Sequence, residues 1–208
     1  MPAERGLGEG GRPVLLLILG LVLFLGIHLV PANASLRDGL VERVGRPAWM
    51  VVFSLISLAG LVIAVQGYQK LRVDAGKNPI LWDPPVWTSH LALLLMLPVF
   101  TLLIATYVPS RIKRIVKHPM LLAIKFWAFA HLLANGDLAS MVLFGSFLAY
   151  AIVDRISMKY RPAPANLGPA PPLVNDLACV VLGLGIYVAF VLWLHAAWIG
   201  VAPIIVSS

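Results

Sequence analysis

Long apolar runs separated by short polar loops divide this chain into segments that can cross a membrane. Four such runs occupy residues 13–33, 48–67, 88–108 and 177–200. A helix rises about 1.5 Å per residue, so roughly 20 apolar residues cross a hydrocarbon core about 30 Å thick. The pattern therefore predicts an all-α, polytopic transmembrane helix bundle.

A fifth apolar stretch, residues 119–153, is too long for a single crossing. The polar residues Asn135, Gly136 and Asp137 interrupt it near its middle. Aspartate is a preferred residue at the start of a helix, because its carboxylate accepts bonds from the first free backbone N–H groups. We predict two short antiparallel helices joined at this point, which brings the expected total to about six.

The N-terminal residues allow two interpretations. Residues 1–12 show no hydrophobic period, which predicts a disordered tail followed by a transmembrane domain over residues 13–208. The small residues at 32–34 are also typical of a signal-peptide cleavage site. The apolar run before them is longer than the usual h-region of about 7 to 15 residues, which favours a retained span.

Several local features refine the predicted spans. Leu36, Leu40 and Val44 recur every four residues, which predicts an interfacial amphipathic helix. Pro98 falls within the third span, where a missing backbone N–H should interrupt or kink the helix. Pairs of small residues at i, i+4 spacing are candidate sites of close helix contact, namely Gly145 with Ala149 and Gly185 with Ala189.

Composition supports a membrane protein and excludes a soluble domain. Of the 208 residues, 60% are hydrophobic and only 12% are charged, about half the usual charged share. The formal net charge of +7 could suggest nucleic-acid binding, but the basic residues lie in short loops between spans. The expected partner is therefore the lipid bilayer, with no nucleic acid.

The distribution of basic residues predicts the orientation of the spans. The loops after spans one, three and five carry ten Lys and Arg residues, whereas the opposite side carries five. Basic loops are retained on the cytoplasmic side of the membrane. We therefore predict a bacterial inner-membrane protein with both termini outside the cytoplasm.

Five histidines, each within or beside a predicted span, are the main candidates for chemistry, because ionisable groups are costly in hydrocarbon. By position, His90, His131 and His195 fall in the outer half of the membrane, and His28 and His118 in the cytoplasmic half. A haem iron can be held by two facing imidazoles, and depth alone favours His131 with His195. Hydrogen bonding between helices is the alternative role for each of them.

Three further residues, Asn135, Asp154 and Lys125, are expected to contact these histidines or a group bound by them. Asn135 lies one turn after His131 and could orient its ring through a hydrogen bond. Across the predicted hairpin, His118 should face Asp154, and the pair should close the cytoplasmic mouth or, as the alternative, transfer a proton. Lys125 is the only lysine deep in a span. It should extend its amine toward the headgroups, or hold an anion such as a haem propionate.

Other common chemistries find no support in the sequence. It contains no H-E-x-x-H zinc motif, no G-x-S-x-G nucleophile motif and no glycine-rich phosphate loop. Cys179 is the single cysteine, so no intrachain disulfide can form.

Three segments carry a resemblance to the NnrU family that extends over nearly the whole chain. The segments are YVPSR at 107–111, KHPML at 117–121 and WAFAHLLANGD at 127–137, together with His28, Pro31 and residues 54–61. Lys117 departs from the arginine expected there. The resemblance implies a membrane protein linked to nitrate, nitrite and nitric oxide metabolism.

The same resemblance implies kinship with the plant zeta-carotene isomerase, a haem b protein with two histidine ligands. Carried over by position, those ligands fall on His28 and His131. The depth estimate disagrees, because the helix rise separates these two histidines by about 14 Å along the membrane normal.

Two functional hypotheses follow. The first is a haem b protein acting in denitrification or in redox isomerisation of a lipophilic polyene. The second is a non-enzymatic component that assists the assembly or regulation of a respiratory complex, in which the histidines are structural. Residues 117–119 are also similar to the Arg-His-Pro motif of membrane methyltransferases, but the glutamate expected downstream has no clear match.

Overall fold

The computed structural model describes residues 11–160 and 169–204, and these residues are helical except for connecting segments and one isolated β-bridge between Ile80 and Asp137. The predicted tail over residues 1–12 lies outside the described residues except for its last two positions. Most of the Pro-rich segment 161–172 also lies outside them.

Five helical segments are long and apolar enough to span a membrane, which confirms the predicted polytopic α-helical class. A further helix, α7, has 16 residues and is about 24 Å long, slightly short of the hydrocarbon thickness. The helices in chain order are α1 Arg12–Leu29, α2 Ala34–Val44, α3 Arg46–Val73, α4 Val86–Met96, α5 Val99–Tyr107, α6 Arg111–Val116, α7 Pro119–Ala134, α8 Leu138–Ser157, α9 Leu173–Ala189 and α10 His195–Ile199.

Local sequence signals place several helix ends as predicted. The third span is broken between α4 and α5, where Pro98 lacks the N–H that a continuous helix needs. The helix predicted over Leu36 to Val44 is present as α2, and its N-terminus is capped by Asn33, whose side chain accepts a bond from the Leu36 N–H. Its interfacial position stays a prediction. Asp137 caps α8 by accepting a bond from the Ser140 N–H.

The described chain forms two compact units. The first comprises residues up to 83 and from 135 to 160, and therefore contains α1, α2, α3 and α8. Leu17, Leu21 and Leu25 on α1 form its core with residues of α3 and α8. The core of this unit thus comes from three helices that are far apart in the sequence.

Glycines allow α1 and α3 to pack with their backbones in contact. A Cβ atom on Gly60 would lie 2.6 Å from the Phe24 nitrogen, and one on Gly20 would overlap the backbone of Ala64. The small-residue contacts predicted at Gly145 and Gly185 are wrong, because no described atom lies within 4 Å of a Cβ built there. Small residues permit close packing only where a second helix approaches them.

The second unit comprises residues 84–134 and the described residues from 169 onward, and contains α4 to α7, α9 and α10. Val99, Leu102 and Ala123 form its core. Two contacts fix α9 within this unit. A Cβ on Gly183 would overlap Thr101, and the Tyr187 hydroxyl donates to the Leu93 carbonyl at 2.9 Å.

Candidate histidine site

Two of the predicted histidines are neighbours in the second unit. The ring centres of His131 and His195 are 6.3 Å apart, and their planes are inclined by only 26°. These are the two residues that the depth estimate pairs. Their role as metal ligands stays a prediction.

Hydrogen bonds to backbone carbonyls fix the orientation of both rings. The Nδ1 atom of His131 lies 2.8 Å from the Trp127 carbonyl oxygen, and that of His195 lies 2.7 Å from the Val201 oxygen. A carbonyl oxygen only accepts, so each Nδ1 carries a proton and each neutral ring has its lone pair on Nε2. Metal-bound histidines have this arrangement.

The backbone carbonyl that orients His131 was not predicted. Trp127 supplies the carbonyl one turn earlier on α7, and its ring lies 5.4 Å from the His131 ring. The backbone carbonyl of Asn135 accepts the Trp82 indole N–H at 3.3 Å, and the predicted orientation of His131 by the Asn135 side chain stays a prediction. The i−4 carbonyl of a helix is a local partner that sequence analysis could have considered.

His195 begins α10, directly after a five-residue π-helical segment, Phe190–Leu194. Phe190 packs against Phe100 at 5.0 Å and against Trp198 at 5.7 Å between ring centres. Gly200 ends α10 with a φ of +78°, and the Val201 carbonyl then lies against the His195 ring. The irregular helix end therefore places this histidine.

His28 shows the same local geometry in the first unit. Its Nδ1 atom lies 2.6 Å from the Phe24 carbonyl oxygen, so its lone pair is also on Nε2. The rings of Phe24, Phe53 and Tyr150 surround it at 4.4, 5.0 and 6.4 Å. His28 and His131 belong to different units, and their pairing as ligands stays a prediction.

The remaining candidates occupy less distinctive positions. His118 and Lys125 are half-buried, and His90 is exposed. Asp154 is buried and accepts a bond from the Ser157 hydroxyl at 3.1 Å. His118 and Asp154 lie in different units, so the contact predicted between them stays a prediction, as does the anion-holding role of Lys125.

A buried carboxylate that sequence analysis did not single out joins α6 to α9. Asp176 is only 9% exposed, and its Oδ1 atom accepts the Ile112 N–H at 3.1 Å. Its Oδ2 atom lies 3.9 Å from the Arg111 guanidinium nitrogen Nε. Beside it, the Asn175 amide donates to the Pro109 carbonyl at 2.7 Å. An acid near the start of an apolar span was the available signal.

No group of three His, Cys, Asp or Glu side chains that could hold a metal ion occurs within residues 11–160 and 169–204. A haem iron with two axial histidines requires only two protein ligands. The pair formed by His131 and His195 provides that number, with the ring tautomer that binding requires.

Five apolar helical segments define a polytopic α-helical membrane protein, in which two imidazoles of one unit lie side by side. The chain belongs to the NnrU protein family, whose model matches residues 16–203. The family resemblance found in the sequence is thereby confirmed. No curated protein and no solved structure gives a significant match.

Proposed function

We propose that this NnrU protein binds haem b between His131 and His195 and uses it in nitrogen-oxide metabolism or in redox isomerisation of a lipophilic polyene. The supporting observation is the pair of nearly parallel imidazoles with ring centres 6.3 Å apart. The proposal takes its second ligand from the spatial neighbour of His131. The family resemblance instead suggests His28 as the second ligand, and replacing each histidine separately distinguishes the two pairs.

The spacing of the two rings is compatible with a shared metal ion. Two imidazoles bound end-on to one ion have ring centres about 6 Å apart, because each metal–nitrogen bond is about 2 Å long and each nitrogen lies about 1 Å from its ring centre. The observed separation of 6.3 Å is close to this value. The distance between the rings is therefore compatible with two ligands of one ion.

The protein's own contribution is to hold and shield the ligands. The carbonyl groups of Trp127 and Val201 keep each Nδ1 protonated, so that Nε2 would be the ligand atom of each ring. The Trp127 ring, 5.4 Å from the His131 ring, adds apolar surface beside that ligand. Lys125 would provide a cation for a propionate. When bound, haem would supply a redox-active iron.

The proposed location is a bacterial inner membrane, with the basic loops in the cytoplasm and both termini outside. The apolar helices support a membrane location, and the excess of basic residues in alternate loops supports this orientation.

A difference spectrum of the purified protein in detergent, reduced minus oxidised, tests the proposal after supplementation with haemin. We expect a low-spin spectrum in the parent protein and its loss in both His131→Ala and His195→Ala, through five-coordinate or weakened haem binding, since each change removes one of the two ligands. His90→Ala is the matched control, because His90 is exposed on α4.

The possible results separate the alternatives. If His28→Ala changes the ligation and His195→Ala does not, the pair implied by the resemblance replaces the one proposed. A wild-type protein that takes up no haem would refute haem binding, and would favour the non-enzymatic assembly component.

A further inference from the structure

The last membrane-spanning helix changes its winding just before His195. From Phe190 to Leu194 the backbone is a π-helix, in which the hydrogen bonds join residues five apart, one more than the four of an α-helix. A segment of this kind inserts one residue without breaking the helix. It therefore resets the direction of every side chain that follows.

The reset can be expressed as a rotation. Successive residues of an α-helix are turned by about 100° and rise by about 1.5 Å, as follows from 3.6 residues per turn. Because the π-helix absorbs one extra residue, His195 occupies the place that residue 194 would have in an uninterrupted helix. An α-helix of the same length would turn its side chain by about 100°, away from the position 6.3 Å from the His131 ring.

Both ends of the segment have contacts that make this rotation consequential. Upstream, α9 is fixed by Gly183 against Thr101 and by the bond from Tyr187 to the Leu93 carbonyl. Downstream, the left-handed turn at Gly200 brings the Val201 carbonyl to the Nδ1 atom of His195 at 2.7 Å. The winding between these points thus decides which side chain faces His131.

We infer that the π-helical segment Phe190–Leu194 is a positioning element that presents His195 to His131. The role of His195 as a ligand rests on the proposed function. The placement itself can be measured without any cofactor, because it depends only on the register of one helix.

Deletions and insertions within this segment should move His195 or leave it in place, according to the number of residues changed. Deleting Leu192 alone should convert the π-helix into a regular α-helix and leave His195 in place. Deleting Val191 and Leu192 together, or inserting one alanine after Leu192, should rotate His195 away. Leu192→Ala is the control of unchanged length.

Chemical bridging of two cysteines measures whether positions 131 and 195 are neighbours in each of these variants. His131→Cys and His195→Cys are combined with Cys179→Ser, the membranes are treated with a short bis-methanethiosulfonate, and bridged peptides are identified by mass spectrometry. We expect bridging in the parent, in Leu192→Ala and in the single deletion. The double deletion and the insertion should lose it, to the level of single-cysteine controls.

Several results would overturn the inference: a single deletion that fails to fold or loses the bridge, a double deletion or insertion that keeps it, or a parent chain that does not bridge. With both histidines intact, the variants that keep the bridge should also keep the low-spin haem spectrum, and the variants that lose the bridge should lose that spectrum. If the variants bridge as expected but the protein takes up no haem, the proposed function is refuted and the inference about the π-helical segment stands.

Discussion

At the scale of single residues, Asp137 shows how one carboxylate can join two distant segments. It accepts the Ser140 N–H at 3.0 Å and the Asn78 amide at 2.9 Å, while the Asn78 oxygen accepts the Ala139 N–H at 2.8 Å. Burial raises the pKa of Asp137, but the hydrogen bonds from Ser140 and Asn78 lower it by more. The net pKa is below its ordinary value, so folding favours the ionised form.

This shift predicts a loss of stability in acid. A carboxylate whose pKa is lower in the folded state stabilises the fold above its unfolded pKa of about 4, and this contribution disappears as the pH falls through the folded value. The measurement is the unfolding temperature in detergent between pH 3 and 7. We expect this temperature to fall less on acidification in Asp137→Asn than in the wild type. Asp83→Asn, at an exposed position, is the control. Equal profiles for Asp137→Asn and wild type would contradict this.

At the scale of helices, the close contact between α1 and α3 depends on glycines, which have no side chain to separate the two backbones. Gly20 faces the backbone of Ala64, and Gly60 faces that of Phe24. In lipid, where the solvent is as apolar as the side chains, such close contact is a main source of helix association. Stability should therefore respond more to these glycines than to larger residues on the lipid-facing surface.

Two glycines of the same helix provide a matched test. Gly20→Ala places a methyl group against the Ala64 backbone and should destabilise the protein by about 1 to 3 kcal/mol or more. Gly26→Ala meets no described atom within 4 Å and should be neutral or stabilising by up to about 1 kcal/mol. Unfolding by SDS titration in mixed micelles measures both. Equal effects of the two substitutions would show that the contact has no special importance.

At the scale of the whole molecule, the distribution of basic loops predicts the side of the membrane on which each connection lies. Cysteine replacements at exposed positions test this in a Cys179→Ser background. We expect an impermeant maleimide to label Asp83→Cys in intact cells and Ile115→Cys only after permeabilisation, since Ile115 is 80% exposed on the basic helix α6. The opposite labelling would reverse the proposed orientation.

A further label decides how many times the chain crosses. Tyr160 follows α8 and is 85% exposed. If α7 and α8 both cross, Tyr160→Cys should be labelled on the same side as Ile115→Cys. Labelling on opposite sides would mean that α7, with only 16 residues, does not cross, leaving five spans.

The sequence by itself determined the features that depend on neighbouring residues. The membrane-spanning helical class follows from the length of the apolar runs and the break at Pro98 from a missing N–H. The start of α8 follows from the reach of the Asp137 side chain to a residue three positions on. These causes act within one helical turn or one span, so no knowledge of the rest of the chain is required.

Only the tertiary structure decided which helix faces meet. The glycines that pack were not those expected, because an i, i+4 pair does not specify a partner helix. The depth estimate paired His131 with His195, but the direction of His195 depends on a change of winding that hydropathy does not record. The depth of a side chain in the membrane follows from its residue number within the span. The direction in which it points follows from the rotation of its helix about the helix axis. That rotation is fixed by contacts between residues far apart in the chain.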